Sequence, residues 1–465
     1  MVGSFLLAVV FCGASVSLLL GQDVPTEGSL RDSPPPSAAV PREAESSADE
    51  LLDLRQKIDR LADELGELRQ EKSKEVPKPA GFTFKMNGQL AIDTLWFSQD
   101  AASRATVGDV QDVVDFRRAR LTASGEYEDF FSYAIGFDFA QGSAQNGRPA
   151  FLDNYLGISG LPYAGNLRIG HFFEPFGLER SGTNRNLTFI ERSLVDAFSP
   201  ARNTGAMIFD QSADEAWWWA IGTFRGDSDN FGDDSGDQEG QTLDARVVWR
   251  PWYDEPSDGR YYLHLAGAYS FRDAADGLVR YRSRPEASGS EDPSSPATPF
   301  FVDTGPLAAE QAQLFGGELL WVHGPWMVQS EVAGSAVHLS SGEAVAFHGE
   351  YVFVGYFLTG EHQPYSRKFA TVDRVKPLEN FFRTRTEDGQ IATGRGAWQV
   401  AARLSHLNLD AGSVAGGDET NFTLGLHWFL TPYHRMKFNY VQADLHRNQL
   451  ASITHIFGMR FDVDF

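Results

Sequence analysis

The chain has 465 residues, which is enough for two or three average domains or for one large β-barrel. Its formal net charge of −23 argues against a protein that wraps nucleic acid, because the phosphates would be repelled. Aromatic residues make up 13% of the chain and glycine occurs 45 times, while no apolar run after residue 20 is long enough for a membrane-spanning helix. This composition favours an all-β chain, and in particular an outer-membrane barrel.

Residues 1–21 are mostly apolar and predict a signal peptide that is cleaved near Gly21 or Gln22. The single cysteine, Cys12, lies within this segment, so we expect neither disulfides nor thiol chemistry in the mature chain. Residues 22–47 follow and are rich in Pro, Ser, Glu and Ala, a composition that predicts an extended linker.

Residues 48–75 have the spacing of an α-helical coiled coil. Apolar residues recur alternately three and four positions apart over about three heptads, at Leu51, Leu54, Ile58, Leu61, Leu65 and Leu68. Charged residues fill most of the other positions. The pattern predicts a short coiled coil that joins subunits, and the alternative is one amphipathic helix that lies on a neighbouring surface.

From residue 81 onward the apolar period is two, which predicts β-strands. About sixteen runs alternate in this way, an even number such as bacterial outer-membrane barrels have. Alternation alone does not distinguish a soluble sandwich from a membrane barrel, but runs of about 9 to 14 residues have the length needed to cross a membrane at a tilt. We therefore predict one transmembrane antiparallel β-barrel over residues 81–465.

The connections between these runs alternate between short and long. Short turns fit the periplasmic side of a barrel, and longer loops near residues 98–112, 225–240, 273–312 and 408–419 fit the outer side. By this alternation the long connection 360–395 falls on the periplasmic side, where short turns are usual. The exception predicts a turn with a role of its own.

One long connection lies between strand-like runs at 167–173 and 204–210. It has about thirty residues without a clean period, and it is rich in Phe, Leu and Ile, which argues against disorder. It also carries four arginines, Arg180, Arg185, Arg192 and Arg202. A loop with apolar anchors and spaced arginines is expected to pack against the wall of a pore and to present positive charge at its constriction.

The last run, residues 455–465, alternates apolar and polar residues and ends in Phe465. An amphipathic final strand that ends in Phe is the usual mark by which the assembly machinery of the outer membrane recognises barrels, so we expect that machinery as a partner. The alternative is an edge strand of a soluble β-protein.

Several stretches of the barrel region carry motifs of a known family. They read FRRARLTASGEYEDFFSYAIGFDFA at 116–140, LRIGHFFEPFGLER and FIERSLVDAFSPARNTG at 167–180 and 189–205, and YFLTGEHQPYSRKFATVDRVKP and GAWQVAARLSHLNLD at 356–377 and 396–410. These stretches resemble the phosphate-selective porin O and P family. The resemblance implies a trimeric sixteen-stranded barrel in which three segments fold inward, the third loop (here 174–203), the fifth loop (273–312) and a long periplasmic turn (360–395).

The resemblance also implies a ladder of lumen arginines that leads anions to a central basic site. The matching positions are Arg118 and Arg120 in the RRAR strand, Arg180, Arg192 and Arg202 in the third loop with Arg185 beside them, and Arg367, Lys368, Arg374 and Lys376 in the turn. Arginine suits this role because its planar fork binds phosphate oxygens bidentately and stays charged.

Two features depart from the family. Its tight phosphate site relies on lysines near the constriction, whereas after residue 80 this chain has only Lys85, Lys368, Lys376 and Lys437. In addition, the acidic loop 227–239 would repel anions at the mouth of the pore. These differences leave open whether phosphate is the cargo.

The sequence contains no nucleophile elbow, phosphate-cradling glycine loop or metal-ligand spacing in a convincing context, so we predict neither an enzyme nor a cofactor. We expect Trp217–Trp219 to contribute to an interfacial aromatic girdle. The predicted function is a homotrimeric porin in the lipid of the outer membrane of a Gram-negative-type cell, a passive channel for small inorganic anions such as phosphate or polyphosphate, with its N-terminal segment in the periplasm. The alternatives are a barrel that anchors the envelope through its coiled coil and a general non-selective porin.

Overall fold

The computed structural model describes residues 81–140, 148–226, 231–233, 240–289, 298–385 and 389–465, together with Lys57. The predicted signal peptide, linker and coiled coil lie outside the described residues except for Lys57, and so does most of the acidic loop. Among the helices of the described residues, none is both long enough and apolar enough to cross a membrane.

Over the described residues, sixteen long antiparallel strands follow one another around a closed sheet. They are β1 Lys85–Gln99, β2 Val113–Tyr127, β3 Phe131–Asp138, β4 Asn154–Leu161, β5 Gly165–Phe173, β6 Arg202–Gln211, β7 Trp217–Arg225, β8 Gln241–Tyr253, β9 Tyr261–Asp273, β10 Leu307–His323, β11 Trp326–Leu339, β12 Ala344–Phe357, β13 Ala397–Ala411, β14 Val414–Phe429, β15 His434–Arg447 and β16 Leu450–Asp464. Strand β16 pairs back with β1, from Gln89 opposite Asp464 to Gln99 opposite Thr454. The predicted all-β barrel of sixteen strands is confirmed.

Shorter elements lie in the connections. The short strands Ala150–Phe151 and Leu278–Val279 extend the barrel sheet, while Arg282–Ser283 pairs with Val302–Asp303, Tyr365–Ser366 with Thr371–Val372, and Phe382–Arg385 with Ile391–Gly394. The helices are α1 Ala101–Val107 and α2 Leu178–Ser181, with 3-10 turns at Asn184–Asn186, Leu194–Phe198, Glu255–Ser257 and Ala275–Gly277. Helix α1 begins after Asp100, whose carboxylate accepts the Ser103 backbone N–H at 2.6 Å, and ends at Gly108, which has a φ of 87°.

The first and last strands open and close at the same rim of the barrel, because the number of strands is even. The opposite rim carries the long connections 100–112, 139–153, 174–201, 226–240 and 274–306, so the rim of the first and last strand ends, which also carries 358–396, is the periplasmic one in the predicted orientation. The predicted loop at 408–419 is wrong, since β13 and β14 continue through it and only Gly412 and Ser413 join them. The composition of this stretch, DAGSVAGGD at 410–418, resembles a loop although its period remains two.

Aromatic pairs mark the periplasmic edge of the outer wall. Trp217 stacks on Trp249 with ring centroids 5.7 Å apart, and Trp398 stacks on Trp428 at 4.8 Å. Trp218, only 6% exposed, packs with Phe224 and other buried side chains instead. Alternation along the strand thus places neighbouring tryptophans in two environments, and the outward ones form part of an interfacial girdle.

Three connections fold into the lumen over part of their length, namely the third loop (174–201), the fifth loop (274–306) and the inward turn (358–396). Phe381 of the inward turn instead packs on Trp428 at the outer wall, with ring centroids 4.5 Å apart. Arg403 on β13 pairs with Glu286 of the fifth loop at 2.6 Å. Arg246 on β8 donates to the Ala370 carbonyl of the inward turn at 3.2 Å. The long periplasmic connection that broke the alternation of loop lengths is therefore an inward segment, as the motifs predicted.

Candidate functional site

The third loop is held against the inner wall by its apolar side chains. Leu178, Phe189, Ile190, Leu194, Val195 and Phe198 are each at most 3% exposed. Phe189 packs edge-on against Phe353 of β12 with ring centroids 5.4 Å apart. Burial of side chains of this size is worth about 1.5–3 kcal/mol each, so the loop is a fixed part of the lumen.

Basic residues of the barrel wall bind the same loop through its polar groups. Arg460 on β16 donates to the Ile190 carbonyl at 2.6 Å and pairs with Glu191 at 2.7 Å. The same guanidinium pairs with Asp93 of β1 at 2.6 Å, across the seam that closes the barrel. Lys437 on β15 binds two further loop carbonyls. These basic side chains face the lumen, and their N–H groups hold the third loop in position.

A cavity of about 470 Å³ lies between the third loop, β2 and the fifth loop, and we call it the arginine cavity. Among the described residues it is lined by nine arginines, Arg117, Arg118, Arg120, Arg180, Arg192, Arg202, Arg280, Arg282 and Arg284. The carboxylates that line it, over the same residues, are Glu191, Asp196 and Glu286. The excess of positive charge in a confined space attracts anions.

Glu191 carries a negative charge within this cavity and is surrounded by arginines. Its carboxylate lies 3.0 Å from Arg117, 2.7 Å from Arg460 and 3.8 Å from Arg118. Burial by itself raises the pKa of Glu191, but these three guanidinium groups outweigh it and hold the pKa well below its usual range. The carboxylate therefore stays ionised at neutral pH.

Three arginines of the cavity surround one aromatic ring. Arg202, Arg180 and Arg192 lie over Phe173 at 3.8, 5.6 and 5.9 Å from its centroid, which is cation–π geometry. Burial, together with Arg192 and Arg202, lowers the pKa of Arg180 to about 10, although its ion pair with Asp196 at 2.9 Å opposes the shift. Arg180 is therefore charged at neutral pH.

Arg118 has two buried donors to spare, and Arg180 of the same cavity has one, at its Nε, among the residues that the structure describes. Its side chain is 2% exposed, and within the described part of the chain its Nε and one terminal nitrogen have no hydrogen-bond partner. A buried N–H that is left unpaired costs about 1–3 kcal/mol. Because Arg118 lines the cavity, an anion bound there can accept these donors.

A second cavity of about 260 Å³ lies on the periplasmic side of the first. The two share Arg120 and Arg202, and Arg185 lines only the second. Each shared arginine also has a carboxylate partner, Asp138 for Arg120 at 2.6 Å and Asp153 for Arg202 at 2.7 Å. Guanidinium groups are thus present at successive levels of the lumen.

The structure brings five of the ten predicted site residues together in the arginine cavity, namely Arg118, Arg120, Arg180, Arg192 and Arg202. Arg185 and Arg374 both pair with Asp464, at 3.0 and 2.7 Å. Arg367 pairs with Glu215 and Glu255, whereas Lys368 and Lys376 are exposed. The inward turn therefore contributes no charge to the lining of this cavity, as far as the described residues show.

Four arginines of the cavity were not predicted, namely Arg117, Arg280, Arg282 and Arg284. Those of the fifth loop occupy alternate positions in RYRSR at 280–284. Alternate residues of an extended segment lie on one face, so this spacing was the available signal for a second source of positive charge. Arg282 and Arg284 lie over Phe300 at 4.1 and 4.3 Å.

Comparisons with known proteins agree with this geometry. A family model described as phosphate-selective porin O and P matches residues 84–465. Porin O of Pseudomonas aeruginosa is 26% identical over 395 residues, which cover 78% of this chain and 83% of that protein. An uncharacterised protein of Caulobacter vibrioides is 25% identical over 401 residues, covering 82% and 74% respectively.

Among solved structures, a loop-deletion mutant of OmpT, an outer membrane protein of Vibrio cholerae, is similar with a TM-score of 0.51. The match has 12% identity and covers 83% of this chain and 100% of that one. At this identity the likeness concerns the barrel fold alone.

Proposed function

Because the chain belongs to the phosphate-selective porin O and P family and is an outer-membrane porin, we propose that it selects small anions and binds phosphate-type oxyanions in the arginine cavity. Passage is passive diffusion through the lumen that the three inward segments narrow. The proposal assigns anion contact to Arg118, Arg120, Arg180, Arg192 and Arg202, and adds Arg117 with the three arginines of the fifth loop.

The observation that carries the proposal is the pair of unpaired donors on the buried Arg118. The arginine side chain presents its N–H groups in a planar fork that matches two oxygens of a phosphate group. Charge-assisted hydrogen bonds of this kind contribute about 1.5–3 kcal/mol, enough to concentrate an anion without trapping it. The paired arginines around it supply the long-range attraction.

Release requires that no site bind too tightly. Asp138 and Asp153 lie against Arg120 and Arg202, the two arginines common to both cavities. A guanidinium group that already donates to a carboxylate binds a passing anion more weakly. The anion can therefore move from the arginine cavity to the second cavity and on toward the periplasmic rim.

The chemistry of the site is that of arginine, since none of the four lysines after residue 80 lines the arginine cavity in the described part of the chain. Lys437 is buried on the carbonyls of the third loop instead. We therefore propose oxyanions of the phosphate and polyphosphate class as cargo because they present paired oxygens to a guanidinium fork.

We further propose a homotrimer in the outer membrane that the outer-membrane assembly machinery inserts, with residues 22–80 in the periplasm. Two features support this proposal. The family resemblance implies the trimer, and β1 begins at the rim opposite the long connections 174–201 and 274–306. The terminal Phe465 follows an alternating final strand of the type that the machinery recognises.

The test is single-channel recording in a planar bilayer under a chloride gradient, followed by addition of phosphate. We expect an anion-selective reversal potential and a chloride current that phosphate blocks. Cation selectivity would overturn the proposal, and anion selectivity without block would remove phosphate-type anions as special cargo. A chain without residues 22–80 should keep its conductance, whereas a barrel that only anchors the envelope would show no conductance in either form.

A further inference from the structure

The outer wall carries a block of polar residues where an apolar surface is expected. Two neighbouring rows run across β12 to β15, as the strand register shows. One row is Glu350, His406, Thr420 and Asp444, and the other is His348, Asn408, Asp418 and His446. We call these eight residues the outer polar patch.

The patch is unusual because of its depth. Glu350 lies six residues above Tyr356, which packs against Trp326 at the periplasmic edge of the wall. Six residues of strand span about 20 Å, or about 15 Å of depth at a tilt of 35–45°. Because the apolar band of such barrels is about 25 Å tall, the carboxylate of Glu350 lies within that band and requires a partner.

The partner of Glu350 is indicated by the possible metal-ligand atoms that the patch brings together. One ligand atom each of His348, Glu350 and His406 lies within 4.8 Å of the other two. The two imidazole rings have centroids 5.9 Å apart. Two imidazoles and one carboxylate are a set of ligands that zinc-type ions prefer.

His406 is oriented for coordination by its neighbour on β14. Its Nδ1 lies 3.0 Å from the Thr420 hydroxyl, which leaves Nε2 as the ring nitrogen that can coordinate a metal ion. A carboxylate oxygen of Asp418 lies 3.6 Å from that Nε2. Two ligands of a tetrahedral ion with bonds of about 2.0–2.1 Å lie about 3.4 Å apart. Asp418 is not a member of the group of three, but its separation from His406 is close to this ligand-to-ligand distance.

We propose that His348, Glu350, His406 and Asp418 bind one divalent transition-metal ion of the zinc type on the outer wall of the barrel. The site is separate from the lumen, and its ligands come from three adjacent strands, β12, β13 and β14. Rotation of the exposed His348 and Glu350 side chains brings the ligand atoms to bonding distance. A bound ion neutralises the carboxylates and links the three strands.

The experiment is a titration of the detergent-solubilised protein with Co²⁺ and then Zn²⁺, after removal of metal by a chelator and with no polyhistidine tag. We expect one equivalent of Co²⁺ with the intense visible absorption of tetrahedral coordination, displaced by Zn²⁺. We also expect Zn²⁺ to raise the temperature at which the unboiled barrel loses its fast mobility in SDS gels, because a ligand that binds only the folded form stabilises it.

Variants identify the ligands. His348→Ala and His406→Ala should each weaken Zn²⁺ binding at least a hundredfold and abolish the thermal shift, and Thr420→Val should weaken it about tenfold through loss of the orienting hydrogen bond. His338→Ala, on the outward face of β11, is the matched control and should bind as the parent chain does. Absence of stoichiometric binding, or binding by both histidine variants that equals that of the parent chain, would overturn the proposal. The unboiled mobility of each variant shows that it is folded.

Discussion

Two sets of basic residues face the lumen, and they differ in what they bind. The wall set consists of Arg246, Arg403, Lys437 and Arg460, each at most 1% exposed, and all four donate to the segments that fold inward. The arginine cavity, in contrast, contains Arg118 with donors that no described group accepts. The difference teaches that a basic side chain that points into the lumen is not necessarily an anion site. An anion site needs N–H donors that remain unpaired after the loops have folded into the lumen.

The largest expected effect is on stability and concerns the wall set. Arg460→Met would remove the ion-pair partner of the buried Asp93 and one of the three guanidinium groups around Glu191, so the free energy of unfolding should fall by about 3–5 kcal/mol. Urea unfolding of the barrel in lipid measures this change. Arg282→Met is the matched control, since Arg282 is exposed and its loss should change stability by about 0.5 kcal/mol or less. Equal stability of the two variants would remove the distinction between the sets.

The next largest effect is on phosphate binding and concerns Arg118 of the arginine cavity. Arg118→Met should raise the phosphate concentration that halves the chloride current by roughly tenfold to a hundredfold, the equivalent of about 1.5–3 kcal/mol. The free energy of unfolding should not fall, because the substitution removes unpaired buried donors. Arg260→Met removes a charge at a periplasmic turn, where Arg260 donates to Gly360, and should leave the block unchanged. Loss of stability without loss of block would place Arg118 in the wall set.

A third effect is on selectivity and concerns the outer edge of the arginine cavity. Arg282→Glu reverses one exposed charge there, next to Phe300. An interaction between unit charges about 4 Å apart in water is worth about 1 kcal/mol, so the anion-to-cation permeability ratio should fall roughly fivefold. Reversal potentials measure the ratio, and high salt should reduce the difference. An unchanged ratio would mean that the fifth loop does not border the path of the ions.

The smallest effect is the dependence of selectivity on pH. The pKa of Glu191 is held well below its usual range and that of Arg180 lies at about 10. Between pH 5 and 8 neither group titrates, so neither Glu191 nor Arg180 should contribute a step to the reversal potential in that range. As the pH rises through about 10, Arg180 loses its proton and anion selectivity should decrease slightly. Arg180→Met should lack this step, and a step near pH 5 in the parent chain would contradict the assignment of Glu191.

Much of the architecture could be predicted because it depends on local patterns. Alternation and the parity of the connections identified the strands, and parity alone singled out the inward turn. The hairpin between β13 and β14 was missed because its outward side carries Asn408 and Asp418 of the outer polar patch, together with a glycine-rich turn. Polar residues on the face expected to be apolar make a strand resemble a loop.

Only part of the candidate site could be predicted, because part of it depends on a local motif and part on how distant segments fold together. Arg118 and Arg120 belong to a motif and their place in the lumen followed from it. The arrival of Arg280, Arg282 and Arg284 at the same cavity depends on how the fifth loop folds back across the lumen, which no local pattern encodes. The ion pair that commits Arg374 to Asp464 likewise joins residues 90 positions apart.

The double role of Arg460 has a consequence for biogenesis. This residue joins β16 to β1 through Asp93 and clamps the third loop through Ile190 and Glu191. Because β16 supplies both contacts, a barrel in which β16 has not yet paired with β1 lacks the seam and the clamp together. We expect protease to cut the third loop in a chain truncated before Leu450 and to spare it in the complete one. The inner width of the channel is therefore fixed when β16 pairs with β1 and closes the barrel.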